Sequence, residues 1–234
     1  MPDVKERWTG PGRFAPAPNL ISPVEVADSW LVDDGRCRGL DLHRARFTRS
    51  CGGGERFFDD VVARLPRSGR WFPRVELAQG EFTVQVRPAP PIATEVALRL
   101  PGVPDPRRRP SVKGPDLETL VQLRAQTGDG REPVLLSPEG WVREGALSSL
   151  MWWRGEVLCA PPEGPGLLPS VTRALVLQIA AGRAQEVRFE QVQAEELAGL
   201  ECWSMSALHG IRSTGNQVRR EAWQAELLGL AAEM

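Results

Sequence analysis

A chain of 234 residues with 41% hydrophobic and 25% charged residues can bury a substantial core, and a formal net charge of −1 provides no overall attraction to nucleic acid or an anionic membrane. No apolar run approaches the roughly 20 residues of a membrane-spanning helix, and the polar, Pro- and Gly-containing first eighteen residues lack a signal-peptide core. Cys37, Cys51, Cys159 and Cys202 are irregularly spaced and form no metal-binding pattern with His43 and His209, so free thiols in a cytoplasmic protein are expected and no metal is.

Residues 1–20 read as a loose, flexible arm, and residues 21–106 as a small N-terminal α+β domain. In it the apolar run Val26 to Val32 meets the hairpin turn Asp33-Asp34-Gly35, and a second strand continues through Leu40. Asp41 stands in N-cap position for a helix carrying His43, Arg46 and Phe47. Gly52-Gly53-Gly54 lacks the Lys-Ser/Thr of a phosphate loop and reads as a linker. A second helix, residues 55–65, gathers Phe57, Phe58, Val61, Val62 and Leu65 on one face. Strands are predicted over residues 74–78, 82–88 and 95–100. Residues 101–110 hold four prolines and the triplet Arg107-Arg108-Arg109, which reads as a solvated linker rather than a nucleic-acid patch.

Residues 107–115 form the interdomain segment, and residues 116–234 a larger C-terminal α+β domain. Asp116 is placed to cap a helix to residue 125. Hairpins are predicted over residues 133–144, turning at Ser137-Pro138-Glu139-Gly140, and over residues 148–160, turning at Arg154-Gly155. Ser170 caps a helix over residues 171–181 closed by Gly182, and a strand (187–192), a short helix (194–200), a strand (201–205) and a further strand or turn from Gly210 follow. A last helix, residues 219–232, puts Trp223, Leu227, Leu228 and Ala231 on one face. The whole is two α+β halves with mixed sheets, not a regular βαβ array.

Lysine occurs only as Lys5 and Lys113, against 27 arginines. A guanidinium does not deprotonate in proteins, whereas a desolvated amine can act as a nucleophile, so Lys113 before a helix start is a candidate for an imine with an aldehyde cofactor. Three more segments fit that chemistry. Glu144 stands in Glu144-Gly145-Ala146-Leu147-Ser148. Leu167-Leu168-Pro169-Ser170-Val171-Thr172-Arg173 opens a helix, whose free N–H groups and Thr172 hydroxyl suit a phosphate. Ser206-Ala207-Leu208-His209-Gly210-Ile211-Arg212 ends a strand with small residues. Taken singly, Glu144 is a turn carboxylate, Ser170 and Thr172 cap their own helix, and His209 is a structural hydrogen-bonder.

Together, in this order and spacing, they resemble the class IV aminotransferases, the fold-type-IV pyridoxal-phosphate enzymes that include branched-chain and D-amino-acid aminotransferases and aminodeoxychorismate lyases. The resemblance runs from about Asp28 to Arg212 and is strongest after Lys113. It implies a two-domain fold of that type, pyridoxal 5′-phosphate as cofactor, an amino-acid or amino-chorismate-like substrate and a homodimer. It places Lys113 on the Schiff-base lysine, Glu144 on the acid that bonds the pyridine nitrogen and Arg46 on an arginine at the phosphate. Leu168 falls against the ring, Ser170, Val171 and Thr172 on the phosphate-binding helix start, and Ser206 and Ala207 on a second phosphate- and carboxylate-side turn. The chain departs from the family in having no tyrosine after the lysine, Ser170 where a glycine is usual, and Ala146 where a serine is usual. Transamination at the substrate Cα is the expected reaction. Elimination releasing pyruvate from aminodeoxychorismate is the alternative, and a degenerate, non-catalytic binding module of the same fold is a second.

Overall fold

The computed structural model describes residues 4–17 and 23–234. The chain divides into two compact units, the first holding Met1–Pro91, Val112–Pro115 and Leu230–Met234, the second Ile92–Ser111 and Asp116–Gly229. It therefore crosses between units around residues 91, 111, 115 and 229, where the sequence suggested one boundary near residue 106.

The first unit begins with a correction. Residues of the expected loose arm form a hairpin, β1 (Lys5–Gly10) and β2 (Arg13–Pro16), and β1 pairs antiparallel with β8 (Glu81–Gln85). The cause is Trp8, whose ring packs edge-on against Phe57 and Phe82 while its Nε1–H donates to Asp60 at 3.0 Å. The rest of that expectation, residues 1–3 and 18–20, lies outside the described residues. The sheet continues through β7 (Arg74–Ala78) to β3 (Val26–Ser29), giving the order β2-β1-β8-β7-β3. The hairpin β4 (Val32–Asp33) and β5 (Arg36–Arg38) forms about the predicted turn, and β6 (Arg70–Trp71) pairs with β4.

Helix α1 (Leu40–Cys51) starts after Gly39, two residues before the position expected from Asp41, and runs past Phe47. Helix α2 (Glu55–Arg64) buries Phe57, Phe58 and Val61, the face its periodicity predicts. These rings close over Trp30, Phe47, Val75 and Val84 into one core, with Trp30 and Phe58 centred 4.8 Å apart.

In the second unit β9 (Leu98–Pro104) extends into the segment expected as linker. It pairs in parallel with β10 (Glu132–Leu136), which pairs with β11 (Val142–Gly145). Helix α3 (Leu117–Gln126) lies between them in sequence. A five-stranded sheet follows from β12 (Ser149–Arg154), β13 (Val157–Ala160), β14 (Val187–Phe189), β15 (Glu201–Ser206) and β16 (Gly210–Ser213), in the order β14-β13-β12-β15-β16. Helix α4 (Val171–Gly182) precedes β14, and a short 3-10 turn (Ala194–Leu197) precedes β15.

Helix α5 (Gln217–Gly229) packs Trp223 into an edge-to-face triad with Trp153 and Trp203. It ends three residues earlier than expected because the chain leaves it to pair. Strand β17 (Ala231–Glu233) joins β5 in the first unit, giving the sheet order β17-β5-β4-β6, and Leu228 is exposed. This is a mixed α+β organisation in two units, with several sheets and packed helices. No helix among the described residues is long and apolar enough to cross a membrane.

Candidate active site

In the first unit the segment Val112–Pro115 lies on β3. The Ala27 N–H donates to the Lys113 carbonyl at 2.6 Å. Gly114 makes this approach possible: its φ is +141°, and a Cβ there would sit 2.7 Å from the Val26 Cα. Gly114→Ala is therefore expected to destabilise the protein by at least about 2 kcal/mol, since it adds both a clash and backbone strain, and a urea unfolding midpoint checks it.

One residue along β3, the fully buried Asp28 sits beneath Lys113's segment. Arg46 on α1 grips it with a fork, Nε to Oδ2 at 2.9 Å and Nη2 to Oδ1 at 2.6 Å. His43, one turn earlier, meets Oδ1 through Nδ1 at 3.0 Å, and because an ionised carboxylate only accepts, Nδ1 carries the proton. Burial alone would raise the Asp28 carboxyl, but Arg46, His43 and Lys113 together hold it well below the usual carboxylate range. Burial likewise depresses His43, against the pull of Asp28, so it stays neutral.

Lys113 itself is brought from 10.5 down to about 8. Burial is the main cause, Asp28 opposes it, and Arg46, Arg74 and Arg87 add to it. The amine thus supplies a free-base fraction near neutral pH, as an imine-forming nucleophile requires.

In the second unit Glu144, on β11, is nearly fully buried. Its Oε1 accepts from Arg107 Nη1 and from the Leu168 N–H at 3.2 Å. Oε2 has no protein partner among the described residues. Burial pushes this carboxyl up from 4.5 to about 7, Arg107 and the Leu168 N–H hold it back, and Asp105 adds to the rise.

Arg107 corrects the reading of its triplet as solvated linker. Its side chain is 6% exposed, held by Asp105 through Nε at 2.8 Å and Nη2 at 2.7 Å. Asp105 also takes Arg143 at 3.0 Å, so a buried carboxylate aims Arg107 at Glu144. Asp116, expected to cap α3, instead accepts the Arg108 and Arg109 N–H groups at 3.1 Å each, which fixes the turn behind Arg107.

Ser170 does cap α4, its Oγ accepting the Arg173 N–H at 3.2 Å. Its side chain is therefore engaged with its own helix. Val171 and Thr172 are buried, and neither their N–H groups nor the Thr172 hydroxyl has a protein partner among the described residues. Ser206 ends β15, and its Oγ accepts the His209 N–H at 3.2 Å, closing the turn that holds Ala207. His209 accepts the Ala93 N–H through Nδ1 at 3.1 Å, the structural role its surroundings favour. Ser148, within the Glu144 motif, donates to the buried Glu132, which also takes the Leu147 N–H and Arg212. That network fixes the turn following Glu144.

The structure thus brings Lys113 and Arg46 together about Asp28, and joins Glu144 directly to Leu168 and so to the start of α4. Asp28, Asp105 and Arg107 were missed. Asp28 had a signal, an acid inside the apolar strand Val26 to Val32, but the partners of Arg107 are long-range and unmarked in the sequence.

The family described as amino-transferase class IV matches residues 61–214, about two thirds of the chain. The chain belongs to the class IV aminotransferases. It is a pyridoxal-phosphate-dependent aminotransferase, and the fold agrees. A fold IV-transaminase from Curtobacterium pusillum, CpuTA1, is 18% identical, covering 96% of this chain and 98% of its own at a TM-score of 0.79. The branched-chain amino acid aminotransferase of Escherichia coli is 15% identical, covering 98% and 94% at 0.78. A hypothetical aminotransferase from Mycobacterium tuberculosis in its PLP-bound form is 16% identical, covering 97% and 98% at 0.73. Comparison with curated proteins gives no match.

The residues present fit the cofactor. A lysine amine depressed to about 8, a carboxylate with one oxygen unpartnered, and buried helix-start donors without protein partners are the donor and acceptor set it requires.

Proposed function

We propose that the chain transaminates an amino-acid-like substrate at Cα with Lys113 as the catalytic amine. The observation that carries this reading is the Lys113 amine, lowered to about 8 on a segment fixed to β3 beside Asp28. Pyridoxal phosphate, when bound, supplies an aldehyde for imine exchange and a ring that accepts negative charge from the substrate Cα.

Lys113 would hold the cofactor's aldehyde carbon through Nζ, and its free amine is the group placed to move the substrate Cα proton. Glu144 would hold the ring nitrogen through Oε2, and its negative charge would favour the protonated ring. The Val171 and Thr172 donors at the start of α4 would hold the phosphate, and the resemblance assigns Arg46 and the Ser206–Ala207 turn to the same group. Leu168 would supply the apolar contact to the ring, while Ser170 keeps the helix start in place.

Thr172→Val retains shape and removes the hydroxyl. It is expected to weaken cofactor affinity about 10-fold, the loss of one hydrogen bond to a charged group, with the melting temperature little changed. Equilibrium dialysis of the apo protein reads it, and unchanged affinity removes Thr172 from the assignment.

The reaction is tested with a panel of amino donors against pyruvate and 2-oxoglutarate, beside a pyruvate-release assay on aminodeoxychorismate. Keto-acid-dependent turnover supports transamination, and pyruvate release alone replaces it with the elimination. Failure of both sinks the enzyme reading. A homodimer is proposed from the resemblance, and light scattering reads it. Four cysteines present as free thiols agree with a cytoplasmic location.

A further inference from the structure

We propose that Asp28 is a positioning residue for the Lys113 reaction: from the middle of β3 it clamps Arg46 and His43 in place and provides the buried counter-charge for Lys113's amine. The inference rests on the assignment of Lys113 as the catalytic amine and extends it to a residue that never touches the cofactor.

Three geometric facts support it. Asp28 is fully buried, and three hydrogen bonds from two α1 residues engage its carboxylate. The neighbouring Ala27 N–H fixes the Lys113 carbonyl at 2.6 Å, so the lysine's backbone is tied to the same strand. The glycine after Lys113 lies against Val26 as no larger residue could, which seats the whole segment on β3.

The charges facing these groups are unequal. Lys113 meets Asp28 from β3, Arg46 and the neutral His43 from α1, Arg74 from β7 and Arg87 from the segment after β8. Asp28 itself meets Arg46, His43 and Lys113, and its field reaches Cys37 on β5 and Cys51 at the end of α1. Arg74 is itself paired with the buried Glu76 at 2.5 Å, whereas Asp28 is the carboxylate that favours the charged form of Lys113. Each time Lys113 takes a proton it becomes an ammonium among those arginines, and Asp28 is the group that favours that state. The clamp also spans two tasks: the arginine proposed for the phosphate and the lysine that does the chemistry are set by the same carboxylate.

The test uses the apo protein, in which only Lys5, Lys113 and the α-amine are available. These are dimethylated with 13C-formaldehyde and a borane reductant, and the Lys113 methyl resonance is titrated by NMR. Asp28→Asn removes the charge at constant shape and is expected to lower the Lys113 midpoint by about one unit or more. Arg46→Gln leaves Asp28 less neutralised and is expected to raise it by a similar amount. Opposite shifts are the signature, because a merely structural disturbance that opens the site to water moves both midpoints upward. An unmoved or raised midpoint in Asp28→Asn overturns the proposal. If that variant does not fold, Asp28→Asn is read in the Arg46→Gln background against Arg46→Gln alone: a lower Lys113 midpoint in the double variant supports the proposal, and an equal or higher one overturns it. Capture of pyridoxal phosphate by wild-type Lys113 separates the two layers. No capture overturns the assignment of Lys113 and this inference with it, whereas capture with unmoved midpoints overturns only the inference.

Discussion

Lys113→Ala is expected to lower transamination by at least about 10³-fold, since one substitution removes both the covalent attachment and the acid–base group. Folding should not suffer. The amine sits where burial and Arg46, Arg74 and Arg87 all penalise its charge, and Asp28 keeps Arg46 and His43 as partners when it is gone. The melting temperature of the apo variant is therefore expected to equal or exceed that of the wild type. Lys113→Arg separates chemistry from charge. It is equally inactive, because a guanidinium stays protonated, and it lowers stability by adding a permanent cation beside three others. The pH dependence follows from the same surroundings. With the amine brought down from 10.5 to about 8, capture of an aldehyde by the apo protein rises with pH through about 8 and then levels. A rise continuing toward 10 contradicts the environment described for Lys113. Stopped-flow absorbance over a pH series measures it.

Arg107→Leu is the second large effect. Arg107 is the cation that keeps the buried Glu144 ionisable, and Asp105 lies behind it with the opposite influence. Without the guanidinium, burial and the charge of Asp105 act on Glu144 unopposed except by the Leu168 N–H. The sign is fixed: a carboxyl already raised to about 7 moves higher, and Glu144 is then neutral at the pH where the wild type works. A neutral acid does not favour a protonated ring nitrogen. Turnover is expected to fall about 100-fold at pH 7.5, a barrier increase of about 2.7 kcal/mol. Residual activity should climb with pH as Glu144 ionises late, so the acid limb of the pH–rate profile moves to higher pH. An unshifted profile would show that Arg107 only braces the fold. Arg107→Lys keeps the charge without the fork and is expected to lie between the two.

Elements whose residues carry a local period were legible in the sequence. The α2 face Phe57, Phe58 and Val61, the Asp33-Asp34-Gly35 hairpin and the Ser170 cap are written in neighbouring residues, and they fold as read. Features set by distant partners were not. Arg13-Phe14-Ala15-Pro16 is a strand because β1 holds it and β8 holds β1, with Trp8 fastened to Asp60 from α2. Ala231 continues a helical period but pairs with Arg38 on β5, so pairing overrides periodicity. Arg107 sits in a proline-rich basic run that reads as surface, and nothing nearby shows that Asp105 and Glu144 bury it. The site was legible where a motif had a rare residue, as Lys113 does among 27 arginines. The charges that make it work, Asp28 and Arg107, come from tertiary contacts.

The central claim is that Lys113 is the amine that joins the cofactor. The most direct measurement is to incubate the purified protein with pyridoxal phosphate, record its visible spectrum, reduce it with borohydride and map the modified peptide by mass. With two lysines in the chain the assignment is nearly binary. A yellow protein carrying the reduced label on Lys113 is the predicted result. A colourless protein, or label confined to Lys5 or the N-terminal amine, would contradict the account.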